Sequence, residues 1–256
     1  MYSVLYDGSF EGFLSAVFDV FYYKFPEPAI EREDLFKGNI YNKVHYVKTT
    51  EKHHQRVWAG LQKRLSKDGL QQFYKTFLSE LPAIENTLLQ YVQYAFSTEI
   101  NMETDFSNGA VLTVFQTAKK VHREKHRMEA FVRFQETADG LFFSIVEPDF
   151  NVLPLIKDHF KDRYADQQWL IWDAKRRYGI YYNKNEVSVV EMNFSAKAQK
   201  GKDIHFIYDE KELLYQQLWQ QYFKSVDIAA RKNTKLHLQH MPMRYWKYLP
   251  EKKGGL

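Results

Sequence analysis

The 256-residue chain sets 36 Lys and Arg against 32 Asp and Glu, a formal net charge of +4, and contains no cysteine. An aromatic content of 17% within a hydrophobic content of 45% suits a packed globular protein and excludes a disordered or low-complexity scaffold. Without a thiol the chain itself can form no disulfide framework, thiolate nucleophile, iron–sulfur cluster or Cys-based zinc site.

The first residues, Met1 to Asp7, lack the basic stretch of a secretory signal, and Asp7, Glu11 and Asp19 interrupt the apolar run that follows. No segment reaches the roughly 18 consecutive apolar residues of a spanning helix. The expectation is a soluble cytoplasmic protein with no membrane partner.

Phe10, Phe13, Leu14, Val17, Phe18 and Phe21 form the stripe of an amphipathic helix, with Asp7-Gly8-Ser9 as its capping segment. From Pro26 to His53 the periodicity dissolves into a loop-rich connection with a short strand at Val44 to Val47. The spacing then predicts helices over Gln55–Leu65, Leu70–Leu81, Ile84–Phe96 and Ala110–Lys125.

After Arg127 the period changes to two. Ala130, Val132 and Phe134 alternate with Phe131, Arg133 and Gln135, and Asp139-Gly140 turns into Leu141–Val146, a hairpin. A helix with Val152, Leu155, Ile156 and Phe160 on one side precedes strands at Trp169–Trp172, Tyr178–Tyr182 and Val187–Met192. A last helix runs over Asp209–Phe223, and a basic aromatic tail follows. The predicted class is α+β: a helical half (1–127) and an antiparallel sheet of ββαβββ order with the C-terminal helix and tail (128–256), sharing an interface as one integrated unit.

The densest basic cluster spans Lys119, Lys120, His122, Arg123, Lys125, His126 and Arg127, with Arg133 just beyond. On a helix Lys119, Arg123 and Arg127 fall at i, i+4 and i+8, one ridge of charge. Such a ridge suits a phosphate backbone; it is also what a solvated helix face looks like. His122 and His126 have i, i+4 spacing, but their Glu stands in the third position of the motif and a third ligand is missing, so no metal is assigned.

Arg176 and Arg177 lie between two aromatic strands, as in a stacking, phosphate-gripping surface or equally in a packed sheet with a charged turn. In the tail, Arg244, Trp246 and Lys247 follow Pro242; they either dock the terminus or face a phosphate. Asp7, Asp149 and His159 are candidate acids or bases, although a carboxylate just before a helix is commonly a cap. No phosphate-binding glycine loop or nucleophile elbow occurs, so no cofactor is assigned.

Several segments together resemble a bacterial family described as "probable DNA metabolism protein". They are Tyr6-Asp7-Gly8-Ser9-Phe10-Glu11-Gly12-Phe13, His126 to Phe134, Val146-Glu147-Pro148-Asp149, and His159-Phe160 with Arg163-Tyr164. Trp169, Asp173 and Arg176 to Gly179, then Arg231-Lys232-Asn233 with His240 to Glu251, complete the set. The resemblance implies a context: members accompany a radical-SAM protein of DNA modification or repair, and some are fused to a uracil-DNA glycosylase domain. It implies no catalytic residues.

The resulting expectation is a DNA-binding accessory protein whose partners are DNA and a radical-SAM or uracil-DNA glycosylase-type protein. Backbone contacts would come from Lys119, Lys120, Arg123, His126, Arg127, Arg133, Arg176, Arg177, Arg244, Trp246 and Lys247. The alternatives are an adaptor that does not touch DNA and an enzyme acting on a nucleotide or damaged base.

Overall fold

A computed structural model describes residues 2–38, 42–98, 101–137, 140–191 and 241–249. The fold is α+β, and it divides into two compact units, Met1–His122 and Arg123–Leu256. The predicted helix at 209–223 and the tail before residue 241 lie outside the described residues. No helix among the described residues is long and apolar enough to cross a membrane.

The first unit opens on β1 (Tyr2–Tyr6), a strand that sequence periodicity did not announce. Helix α1 (Phe10–Tyr23) follows, then β2 (Pro28–Arg32) and β3 (Lys43–Tyr46), the last close to the strand expected at Val44. Both β2 and β3 pair with β1 in parallel, so β1 is central in a three-stranded sheet, with Val4 opposite Ile30 and His45. Around it stand α2 (Glu51–Arg64), α3 (Lys67–Phe77) and α4 (Ile84–Ser97). The core joins Val4, Phe13, Val17 and Ile30 to Leu61, Phe73, Leu88 and Val114.

Helices α1 and α3 begin with the same device. Ser9 and Ser66 cap them by accepting from the N–H of Gly12 and Gly69, at 2.9 and 3.0 Å. A neighbouring carboxylate then rests on each first turn, Asp7 on Gly12 and Glu103 on Gly69, where an added Cβ would lie 2.1 Å from an oxygen. Negative charge there complements the helix dipole, and only glycine leaves room for it.

Helix α5 (Gly109–Phe131) runs across the boundary of the two units and is longer than its predicted end at 125. It absorbs residues 130 and 131, whose alternation with Val132 suggested a strand. The hairpin is real but shorter: β4 (Gln135–Glu136) pairs antiparallel with β5 (Phe142–Val146). Then come α6 (Leu153–Arg163), β6 (Trp169–Asp173), β7 (Tyr178–Tyr182) and β8 (Val187–Val190).

The sheet order is β4-β5-β6-β7-β8, and the ββαβββ order holds. The expectation of a purely antiparallel sheet does not. β5 and β6 are parallel, with Phe142 opposite Trp169 and Val146 opposite Asp173, because α6 carries the chain back before β6 begins. One face meets Leu153, Ile156 and Phe160 of α6 around Trp169. The opposite face buries Phe143, Leu170 and Trp172. Gly179 sits where a Cβ would come within 2.8 Å of the Ile171 carbonyl oxygen, so close strand approach requires glycine there.

Candidate functional site

The parallel pair β5–β6 ends with its carboxyl termini side by side, and the loops leaving them carry the charged residues. In open sheets this edge is where ligands bind, because the chains diverge and leave a crevice. Glu147-Pro148-Asp149 leaves β5; Asp173 closes β6 and leads to Lys175-Arg176-Arg177.

Asp173 is fully buried. Its carboxylate accepts from the backbone N–H of Lys175 (2.9 Å) and Arg176 (3.1 Å) and from Arg176 Nη1 (2.9 Å). Burial raises its pKa above the ordinary carboxylate value, and the Arg176 hydrogen bond only partly opposes this. Arg176 also donates to the carbonyl oxygens of Pro148 and Asp149, each at 3.1 Å, and Lys175 Nζ reaches the same Asp149 oxygen at 3.1 Å. Arg176 therefore ties the two strand ends together.

Behind the loops lies Glu124 of α5, whose side chain is 1% exposed. Its Oε1 accepts from the Asp149 N–H at 2.8 Å and from the Tyr245 hydroxyl. Its Oε2 lies 3.2 Å from Arg244 Nη2 and 3.5 Å from Arg127 Nη1. Tyr245 and Arg244 belong to a 3-10 segment, Met243–Tyr248. Burial, reinforced by the hydrogen bond to Glu124, pushes the Tyr245 pKa up.

Arg244 Nη2 additionally lies 2.6 Å from Asp149 Oδ2 and 2.6 Å from the Tyr245 hydroxyl oxygen, with the guanidinium 4.6 Å from the Tyr245 ring centre. Lys247 Nζ is 2.5 Å from Glu147 Oε2. Burial alone would raise Glu147, but the hydrogen bonds from Lys247 and Tyr248 hold it below the usual range. An open cleft of about 680 Å³ lies over this network, lined by Glu147, Pro148, Asp149, Lys175, Met243, Arg244 and Lys247.

The predicted basic residues thus divide by role. Arg127, Arg176, Arg244 and Lys247 converge in this network, together with Asp149. Arg133 lies not in a hairpin but at the end of α5, donating to the carbonyl oxygens of Ala130 (2.6 Å) and Val132 (3.2 Å), where a cation suits the helix dipole. Trp246 is half-buried and its Nε1 donates to the Met241 carbonyl oxygen at 3.0 Å. Arg177 is exposed and takes a left-handed φ of 59°, its backbone N–H closing the β6–β7 turn by donating to the Asp173 carbonyl oxygen.

Lys119, Lys120, Arg123 and His126 are exposed on α5. Lys119 Nζ lies 4.1 Å from the Phe115 ring centre, and His126 Nδ1 lies 3.0 Å from Glu129 Oε2. Glu129 Oε1 also meets Lys125 Nζ at 2.8 Å and His159 Nδ1 at 3.9 Å. His159 thus turns toward Glu129, with its ring edge-on to Phe160.

Asp7 is a cap. Its Oδ1 accepts from Ser9 N and Oγ at 2.9 and 2.6 Å, its Oδ2 from Thr49 at 2.7 Å. Burial opposes ionisation, yet these bonds hold its pKa below the ordinary 3.8. A depressed acid contributes stability above its unfolded pKa and loses that contribution as pH falls through the folded value. Asp7→Asn is therefore expected to be less stable than the parent at neutral pH, with the gap closing as pH falls below 3.8, read by chemical denaturation across that range. A gap independent of pH would contradict the cap.

A family model for a domain of unknown function, DUF4130, matches residues 82–251. The chain belongs to the DUF4130 family. The match takes in every residue of the Glu124–Arg244 network and its cleft, whereas Asp7 precedes the DUF4130 match. No curated protein and no solved structure matches the chain.

The central DUF4130 residues that sequence reasoning overlooked are Glu124 and Tyr245. Glu124 sits inside a basic run, which disguised it as part of a solvated face. The usable signal was spacing: it falls three after Val121 and four before Met128, on the buried stripe of α5. Tyr245 lay in a tail with no periodicity to place it.

Proposed function

We propose that the protein is a cytoplasmic DNA-binding accessory factor in base repair or modification, working beside a radical-SAM or uracil-DNA glycosylase-type partner. The observation that supports this reading is how α5 sorts its charges. Its carboxylates, Glu124 and Glu129, have side chains only 1% and 12% exposed, while Lys119, Lys120 and Arg123 stand on the exposed side. A helix side carrying cations without interleaved acids attracts a polyanion. Lys and Arg contacts to phosphates then release counterions, making affinity steeply salt-dependent.

The resemblance to the DNA metabolism family supplies the repair context. The lack of cysteine supports a division of labour, since an iron–sulfur cluster for radical chemistry needs thiolates that only a partner could offer.

The test is a salt titration of binding to labelled single-stranded and duplex oligonucleotides. Changing Lys119, Lys120 and Arg123 together to Gln is expected to weaken binding at low salt by about tenfold or more and to flatten the salt slope by about 0.9 for each duplex phosphate left unneutralised. Absence of binding at low salt, or an unchanged slope, would refute the reading.

A further inference from the structure

We propose that the cleft lined by Lys175, Arg244 and Lys247 at the carboxyl ends of β5 and β6 binds the phosphate group of a small phosphorylated ligand of the nucleoside monophosphate class. Three cations and two carboxylates line it, and the cations are held ready in different ways. Arg244 is aimed from behind: Glu124 and the Tyr245 hydroxyl hold its Nη2, and the Tyr245 ring lies 4.6 Å from its guanidinium. Among the described residues every polar contact of Arg244 runs through Nη2, which leaves Nε–H and the Nη1 hydrogens for a ligand.

Among the described residues Lys175 Nζ reaches only a backbone carbonyl, that of Asp149. Lys247 is 56% exposed, on a Glu147 that is itself 40% exposed.

The competing anion on Arg244 is Asp149. That pair is open to water, with side chains 40% and 49% exposed, so solvent screens it. A phosphate dianion can accept a charge-assisted hydrogen bond from the Nη1 or Nε hydrogens, and it carries more charge than the carboxylate it would displace. The Asp149 backbone is clamped by Glu124, Lys175 and Arg176, so its carboxylate can swing away without disturbing the loop. Met243, 64% exposed, and Pro148 give the cleft apolar surface beside the cations. That combination suits a ligand that carries a flat aromatic base as well as a phosphate more than inorganic phosphate alone. Tyr245 and Glu124 are too deeply buried to touch a ligand and act as positioning residues.

None of the lining residues belongs to α5, so this site and the DNA reading fail independently. The experiment is isothermal titration calorimetry of the whole protein with a nucleoside 5′-monophosphate, inorganic phosphate and the unphosphorylated nucleoside. Saturable binding of the monophosphate is expected, with inorganic phosphate weaker but competitive and the nucleoside without effect. Lys175→Gln combined with Lys247→Gln should weaken the monophosphate about tenfold or more, and Asp149→Asn, which alters a single side-chain contact, should strengthen it severalfold. Circular dichroism confirms that each variant is folded.

No binding at millimolar monophosphate, or equal binding of the nucleoside, overturns the proposal. So does an affinity that both substitutions leave unchanged. Inorganic phosphate binding as tightly as the monophosphate would overturn the nucleotide class while retaining the phosphate site. Loss of oligonucleotide binding on changing α5, with monophosphate binding intact, separates the two readings.

Discussion

Replacing Glu124 by alanine is expected to destabilise the second unit by about 2–4 kcal/mol, the cost of leaving buried hydrogen-bond donors without their acceptor. Two donors lose their acceptor, the Asp149 N–H and the Tyr245 hydroxyl, and Arg244 Nη2 loses one of its three partners. Tyr245 is only 2% exposed, so water cannot take over, and an orphaned buried hydroxyl alone costs about 1–3 kcal/mol. Arg244 suffers less, because 40% of its side chain is already in solvent. Glu124→Gln keeps one carbonyl acceptor and removes the charge, and should fall between parent and alanine variant. Urea denaturation followed by circular dichroism reads both; a loss below about 1 kcal/mol for Glu124→Ala would mean that the network is not a structural hub.

The second large effect is expected at Trp169, the bulkiest fully buried side chain among the described residues. Its ring meets Phe134, Phe160 and Tyr182 at centre distances of 6.1, 6.1 and 5.4 Å, joining the segment before β4 to α6 and β7. Trp169→Ala removes an indole that this aromatic layer cannot collapse to fill, and should cost about 3–5 kcal/mol. Trp169→Phe should cost much less, within about 1.5 kcal/mol, because it keeps a ring in the slot. The indole Nε1–H is buried and has no acceptor among the described residues, so the phenyl ring gives up no hydrogen bond there. Equal losses for the two variants, measured by the same urea denaturation, would mean that the ring's volume is not what matters.

Much of this architecture was legible in the residues. The stripe at Phe13, Leu14 and Val17 marked α1, and Leu70, Phe73 and Phe77 marked α3, because burial on one side of a helix imposes its period. β1 escaped notice since its five residues are nearly all buried, and a fully buried strand shows no alternation. Residues 130 to 134 misled for the opposite reason: a two-residue period arose by chance where α5 was ending, and Arg133 closes that helix instead of facing out from a sheet. The parallel pairing of β5 and β6 was readable in principle, since a helix between two strands makes a crossover.

The candidate site was only half legible. Arg176, Arg244, Lys247 and Asp149 were singled out as charged residues in quotable segments, and they converge. Sequence could not show that several of these cations are already matched by acids, because that depends on strand ends and a 3-10 segment meeting in space. Charge counted along the chain therefore overstated what is offered to a ligand at Arg176 and understated the directional role of Arg244.

The partners of Glu124 also govern the order of assembly. Asp149 is 25 residues downstream, but Arg244 and Tyr245 are 120 and 121 residues away. During synthesis α5 and β5 through β8 leave the ribosome well before the 3-10 segment exists, so the helix must hold a carboxylate aimed at an interior still open. Bringing residues 120 apart in sequence together costs entropy before their contacts repay it, and the docking of residues 243–248 is a late event by its sequence separation. Until then the nascent chain shows chaperones and proteases an unfinished surface, and the cleft gains its arginine at the same moment that this surface closes.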